Sequence, residues 1–264
     1  MLYEKTRYSA PYDYLINKEI QEYDISKANI SILRQSNIIN DQQYNYLYNL
    51  DKRDREVKVG LELRKNPELN KVLDQGFIQS RKLFFEANDI VDMRVLYIDK
   101  DSVTVIDQMI KVNKIAEYID FKQKERYTSF YRLGVIDFLY YNDNEKESYR
   151  FKNANMKRLL TDHKNYMIDF LLSVAYLAQN NSSLDLILMI RDFYNKYVNK
   201  KLNVRYYREF NQTSMYKVLS TSTYSYYTDS IPNIYTDNID IGYNAKLIRD
   251  LYKVFCNEYF RRAK

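Results

Sequence analysis

The chain has 264 residues, 45% of them hydrophobic and 29% charged, with a formal net charge of +6. That balance excludes a disordered chain, and the length suits one large domain or a domain with a smaller appendage. A single cysteine, Cys256, excludes an intrachain disulfide framework and agrees with a reducing compartment.

Taken in chain order, the opening segment MLYEKTRYSAPYDYL lacks the apolar core of a signal peptide. Residues 1–23 read as an irregular lead-in ending in a short strand, Ile20 to Ile25. Residues 27–64 read as helices, because Ile30, Leu33 and Ile38, then Tyr44, Leu47 and Leu50, recur at helical spacing. Asn66-Pro67-Glu68 reads as a helix start, with Asn66 as N-cap and Pro67 at the first position. The helix it opens carries Leu69, Val72, Leu73, Phe77, Ile78, Leu83 and Phe84, and runs to about Ala87. Then the texture changes. Val95–Ile98 and Val103–Ile106 are β-branched arms around the polar turn Asp99-Lys-Asp-Ser102, which predicts a hairpin. Tyr127–Leu133, Val135–Tyr141 and Ser148–Phe151 are further strands.

From Asn155 the pattern is helical through Lys200, broken at Asn181-Ser-Ser. Within it Met167–Ala178 is the longest apolar stretch, too short for a membrane span and interrupted by Asp169. Val204–Phe210 reads as one more strand, residues 211–242 as polar and irregular, and Asn244–Arg261 as an amphipathic helix. The order of helices, antiparallel sheet, then helices is that of an α+β fold.

The positive charge favours polyanionic partners, since it raises the local potential and steers phosphate toward the surface. Some of the 29 tyrosines could stack on bases, although most have the bland reading of an AT-rich composition. Phosphoryl transfer to a hydroxyl asks little covalent help of a protein. It needs two divalent ions about 4 Å apart and carboxylates on rigid backbone to hold them. Asp24, at a strand end before a helix, and Asp99 and Asp101, in the hairpin turn, have that character. Between them Lys52, Arg53, Arg55 and Lys58 open a basic helix that could neutralise a triphosphate. Each feature also has a plain structural reading. An Asp before a helix serves as an N-cap, Asp-Lys-Asp-Ser is turn chemistry, and a mixed-charge run makes a solvated helix face.

Together and in this order, the segments resemble motifs A, B and C of the family B DNA polymerase palm. Asp24-Ile-Ser-Lys-Ala-Asn-Ile-Ser31 keeps the Asp and the terminal Ser of motif A. Asp99-Lys-Asp101-Ser102 differs from the family's Asp-Thr-Asp-Ser at one residue. Lys52 and Gly60 hold the end positions of motif B, where Glu56 and Val59 replace an Asn and a Tyr. Lys122-Gln-Lys124-Glu-Arg126-Tyr127 is similar to the family's motif that grips the primer terminus. The resemblance covers about residues 20–135. It implies Asp24 and Asp101 as metal ligands with Asp99 in support, two Mg2+ or Mn2+ ions, and DNA or RNA as partner. It further implies Lys52 and its basic neighbours facing the phosphates, and Lys122, Lys124, Arg126 and Tyr127 on nucleic acid. Asn29 replaces the motif A Tyr that screens the sugar, which implies weak discrimination against ribonucleotides. Only 75 positions separate Asp24 from Asp99, so the fingers reduce to a few helices. On this reading residues 1–152 form a palm-like core, and 153–264 a helical thumb-like part. The protein would work in the cytoplasm of a phage-infected host, with other replication or transcription proteins as further partners. An inactive palm kept for nucleic-acid binding or as a replication subunit, and a protein–protein module, are the alternatives.

Other chemistries find little support. His163 is the only histidine, so a Ser-His-Asp or Cys-His site would have to use it. One Cys and one His nearly exclude structural zinc, and neither a Walker A loop nor GxGxxG is present.

Overall fold

The computed structural model describes residues 1–134, 136–143, 146–152, 166–180, 182–202, 208–210, 216–218 and 242–262. Its strands are β1 (Arg7–Ser9), β2 (Tyr14–Ile25), β3 (Val95–Asp99), β4 (Ser102–Ile106), β5 (Phe121–Leu133), β6 (Ile136–Asn142) and β7 (Glu147–Lys152). They form one antiparallel sheet in the order β1-β3-β4-β2-β5-β6-β7. Helices α1 (Ala28–Gln35), α2 (Asp41–Asn49), α3 (Lys52–Lys65) and α4 (Glu68–Ala87) lie between β2 and β3 in the chain. After β7 come α5 (Tyr166–Ala178), α6 (Ser183–Val198), a small hairpin of β8 (Arg208–Phe210) with β9 (Tyr216–Val218), and α7 (Gly242–Arg262). The fold is α+β, as the alternation of patterns implies. Among the described residues no helix is long and apolar enough to cross a membrane.

Several elements depart from the sequence reading, among them β1 within the expected lead-in and β5, which starts at Phe121 rather than Tyr127; three others do so for an identifiable reason. Strand β2 begins at Tyr14 rather than Ile20. Asn17 adopts φ 54° inside it, which breaks the two-residue alternation that would have revealed a strand. Asn66 closes α3 rather than capping α4. Its N–H donates to the Glu62 carbonyl at 2.9 Å while its own carbonyl accepts from Leu69 N–H at 3.0 Å. Pro67 then takes helical angles ahead of Glu68. Residues 216–218, in a stretch expected to be irregular, pair with 208–210. The expected start of helix at Asn155, the pair Asp162-His163 and residues 204–207 lie outside the described residues.

The chain forms two compact units. One comprises residues 1–11 and 18–126, the other 12–17 and 127–264.

In the first unit the core is built on the β2, β3 and β4 face covered by α1 and α4. Val95, Val103 and Val105 are fully buried there, and Phe84 stacks on Phe121 with centroids 4.1 Å apart. Burying a phenyl of that size contributes about 2–3 kcal/mol. Gly76 lets α4 pass close to α1, since a Cβ there would lie 2.2 Å from Ile32 Cγ2. Side-chain caps set the starts of the intervening helices. Asn40 accepts from Gln43 N–H at 2.9 Å, and Asp51 accepts from Asp54 N–H at 2.9 Å.

The second unit buries Tyr131, Phe138, Leu171, Ile190, Ile248 and Phe255 in one cluster. There α5 buries Phe170, Leu171, Val174, Ala175 and Ala178 of the apolar stretch while Tyr176 is exposed, and Phe170 stacks on Phe193 of α6 at 3.7 Å. A bidentate pair, Arg132 Nε and Nη2 on Asp137 at 2.9 and 3.3 Å, satisfies the buried Asp137 carboxylate.

Candidate functional site

The site is assembled in the first unit where β2 gives way to α1. Strands β2 and β4 pair antiparallel, with Asp24 opposite Ser102, so the register carries Asp24 to the mouth of the β3–β4 turn. Ile25 N–H donates to the Asp101 carbonyl at 3.0 Å and Ser26 N–H to the Asp120 carbonyl at 2.9 Å. Lys27 then takes the left-handed conformation, φ 50° and ψ 44°, and α1 starts with no side-chain cap. Asp24 is therefore not the N-cap that its place before a helix suggests. The first residues of α1, Ala28 to Ile30, line the opening described below, and a helix N-terminus carries a partial positive charge.

The hairpin turn is held just as firmly. It spans Lys100 and Asp101 between the paired Asp99 and Ser102, with Lys100 at φ 41°. Arg81 of α4, wholly buried, donates to the carbonyls of Tyr3 and Lys5 at 2.9 Å and to that of Lys100. Burial pulls its guanidinium down to about 10, against the upward pull of Asp101 and Asp74. A buried cation tied to three carbonyls fixes the turn and stands close enough to Asp101 to feel its charge.

The carboxyls of Asp24 and Asp101 meet. Burial first, and then the neighbouring Asp24, push the Asp101 carboxyl up to about 6. Lys124 Nζ, on β5, donates to Asp24 Oδ2 at 2.7 Å, whereas Oδ1 is buried with no hydrogen-bond partner. Asp99 does not join them: its carboxylate is largely exposed and lies 3.5 Å from Arg7 Nε on the sheet edge. Among the described residues no group of three or more His, Cys, Asp or Glu is gathered for a metal, and the carboxyls that meet here are those of Asp24 and Asp101.

Above the pair opens a cleft of about 440 Å³, walled by Lys27, Asn29, Lys52, Arg55, Lys122 and Lys124. Lys52 is well exposed, with Glu56 3.8 Å away, and Arg55 Nη1 donates to the Leu50 carbonyl at 3.1 Å. Arg53, Lys58 and Arg126 do not line the cleft. Arg53 is exposed on α3, Lys58 covers the Tyr46 ring at 4.4 Å, and Arg126 Nη2 pairs with Glu19 at 3.2 Å. Tyr127 belongs to the second unit and is buried.

Sequence reasoning missed two contributors. Arg81 sits four residues from both Phe77 and Phe85, on the apolar face of α4, and that spacing was the available signal. Lys124 was read only as a nucleic-acid contact, and nothing in the sequence announces its bond to Asp24.

Arranged in this way, two adjoining carboxylates, one with an orphaned buried oxygen, suit a hard divalent cation, which takes oxygen ligands. The cationic walls and the helix N-terminus suit phosphate.

The family model of the bacteriophage PBS1 gene 130 protein matches residues 1–256, and the chain belongs to that family. Comparison with curated proteins gives no match.

Proposed function

We propose that the protein is a metal-dependent nucleotidyltransferase with a reduced, polymerase-palm-like site that acts on nucleic acid. The observation that carries this reading is the meeting of Asp24, on a strand, and Asp101, in a hairpin turn far from it in sequence, at a basic cleft that both line. Burial and the neighbouring Asp24 oppose ionisation of Asp101, and two carboxylates in contact persist at neutral pH when cations compensate them.

Asp24 and Asp101 would hold Mg2+ or Mn2+, two ions in all, and water and phosphate oxygens would complete their shells. Ions so held supply Lewis-acid stabilisation of phosphoryl oxygens and a more acidic nucleophile. The protein's own groups bind and orient. Lys52, Arg55 and the first-turn N–H groups of α1 receive the triphosphate, as the cationic walls and helix terminus support. Lys122 and Lys124 receive phosphates of the nucleic-acid strand. Asn29 lies on the cleft wall, and the family B polymerase motif that this segment resembles has a sugar-screening Tyr at that position, so Asn29 would leave room for a 2′-hydroxyl. The work belongs in the cytoplasm of an infected host, in keeping with the phage family and the single cysteine.

The test is primer extension on a primed template with Mg2+ or Mn2+ and both nucleotide sugars. Extension that uses both sugars and is abolished by Asp24→Asn or Asp101→Asn supports the reading. A second reading, nucleic-acid binding without catalysis, is favoured by Asp99, whose pairing with Arg7 leaves two ligands where the family motif implies three. Salt-sensitive oligonucleotide binding with no extension under either metal would establish it instead.

A further inference from the structure

Strand β5 presents alternate cations, Lys122, Lys124 and Arg126, along an exposed stretch. Each rests on an acid of the same unit: Lys122 on Asp120 at 4.0 Å, Lys124 on Asp24 at 2.7 Å, and Arg126 on Glu19 at 3.2 Å. Exposed pairs of this kind contribute about 0–1 kcal/mol, and a nucleic-acid phosphate readily replaces the acid. Two of the three exchanges leave an ordinary surface acid behind. The third does not. The partner of Lys124 is one of the two carboxylates proposed as metal ligands.

An ammonium 2.7 Å from Asp24 Oδ2 already neutralises that carboxylate, and its positive charge opposes a divalent ion on either of the two oxygens. The Lys124 head is about half exposed while the Asp24 carboxylate is less so, so a long flexible side chain reaches inward from the surface to make the pair. Turning outward to a strand phosphate keeps the ammonium paired and leaves the Asp24 carboxylate to a metal ion.

We infer that Lys124 is a tethered cation that occupies Asp24 until a nucleic-acid phosphate draws it away, so that strand binding and metal loading are positively coupled. This rests on the proposed metal site and goes beyond it. It makes Lys124 a positioning residue that governs when the ligand becomes available, and linkage requires that the metal in turn tightens strand binding by the same factor.

The experiment measures Mn2+ affinity, by electron paramagnetic resonance of the free ion. It uses the full chain without nucleotide, in the absence and presence of a saturating single-stranded oligonucleotide, corrected for Mn2+ held by the oligonucleotide alone. Four proteins are compared: wild type, Lys124→Gln, Lys122→Gln and Asp24→Asn. Wild type should bind Mn2+ weakly alone and at least about 5-fold more tightly with oligonucleotide, the lower end of common coupling factors. Lys124→Gln should bind tightly from the start and change little on adding oligonucleotide. Lys122→Gln removes the same charge from the same strand without touching Asp24; it should weaken oligonucleotide binding, yet keep the weak Mn2+ affinity of the free protein and its tightening once oligonucleotide is saturating. The inference is overturned if Lys124→Gln matches wild type, or if oligonucleotide tightens Mn2+ equally in both. It is also overturned if Lys122→Gln reproduces the effect, which would then be general electrostatics. Failure of the underlying site looks different: no Mn2+ binding by any of the proteins, or binding that survives Asp24→Asn.

Discussion

Replacing Asp101 by Asn should stabilise the protein at neutral pH in the absence of divalent ions. The folded carboxyl is pushed up to about 6 from 3.8, first by burial and then by Asp24. Between those values the native state holds a proton that the unfolded chain has released, so stability falls as pH rises from about 4 to about 6 and stays lower above. Two pH units correspond to about 3 kcal/mol unscreened, and solvent screening of a half-buried group reduces this to about 1 kcal/mol. Asparagine keeps the shape, carries no charge and can donate to the Asp24 carboxylate. For a chain of this size about 1 kcal/mol raises Tm by about 2–4 °C. Thermal unfolding followed by circular dichroism in chelator, at pH 4 and pH 7.5, should show Asp101→Asn more stable only at the higher pH. Taking the difference between the proteins cancels other carboxylates, such as Asp41, which the hydrogen bond from Arg34 holds below its ordinary range. A variant less stable than wild type at pH 7.5, or a difference independent of pH, refutes the reasoning.

Arg81→Leu should cost about 3 kcal/mol or more, because three carbonyls lose their donor, and Arg81→Lys should recover only part of it, since an ammonium lacks the planar fork. Urea unfolding of both variants checks this, and full recovery by Lys would contradict it. Gly76→Ala gains up to about 1 kcal/mol of helix propensity but overpacks Ile32 at a cost of about 1–3 kcal/mol, so a net loss of Tm is expected and a gain would contradict the close approach of α1 and α4. Oligonucleotide binding measured by fluorescence anisotropy should weaken steeply between about 50 and 200 mM salt, as counterion release requires, and a flat response would favour a protein partner.

Some of this was legible in the sequence. The β3–β4 hairpin was, because β-branched arms around a polar turn admit few other structures. The helical segment before α4 was too, since its apolar spacing is regular. The meeting of Asp24 with Asp101 was an expectation from motif resemblance only, because the register between distant strands is set by the whole sheet rather than by local residues. Asn17, Lys27 and Lys100 bend the backbone into the left-handed region without being glycine, so no residue signal marked where β2 is interrupted or where α1 begins. Asp99 looked equal to Asp101 in the turn, yet it is the last residue of β3, where the register with β1 sets it opposite Arg7, whereas Asp101 lies in the turn itself.

The most direct measurement is anomalous diffraction from crystals of the wild-type protein soaked in Mn2+ with a bound oligonucleotide. The account predicts density within about 2.0–2.2 Å of carboxylate oxygens of both Asp24 and Asp101, with Lys124 turned away from Asp24. Crystals that take up Mn2+ elsewhere while Lys124 stays on Asp24 would contradict it.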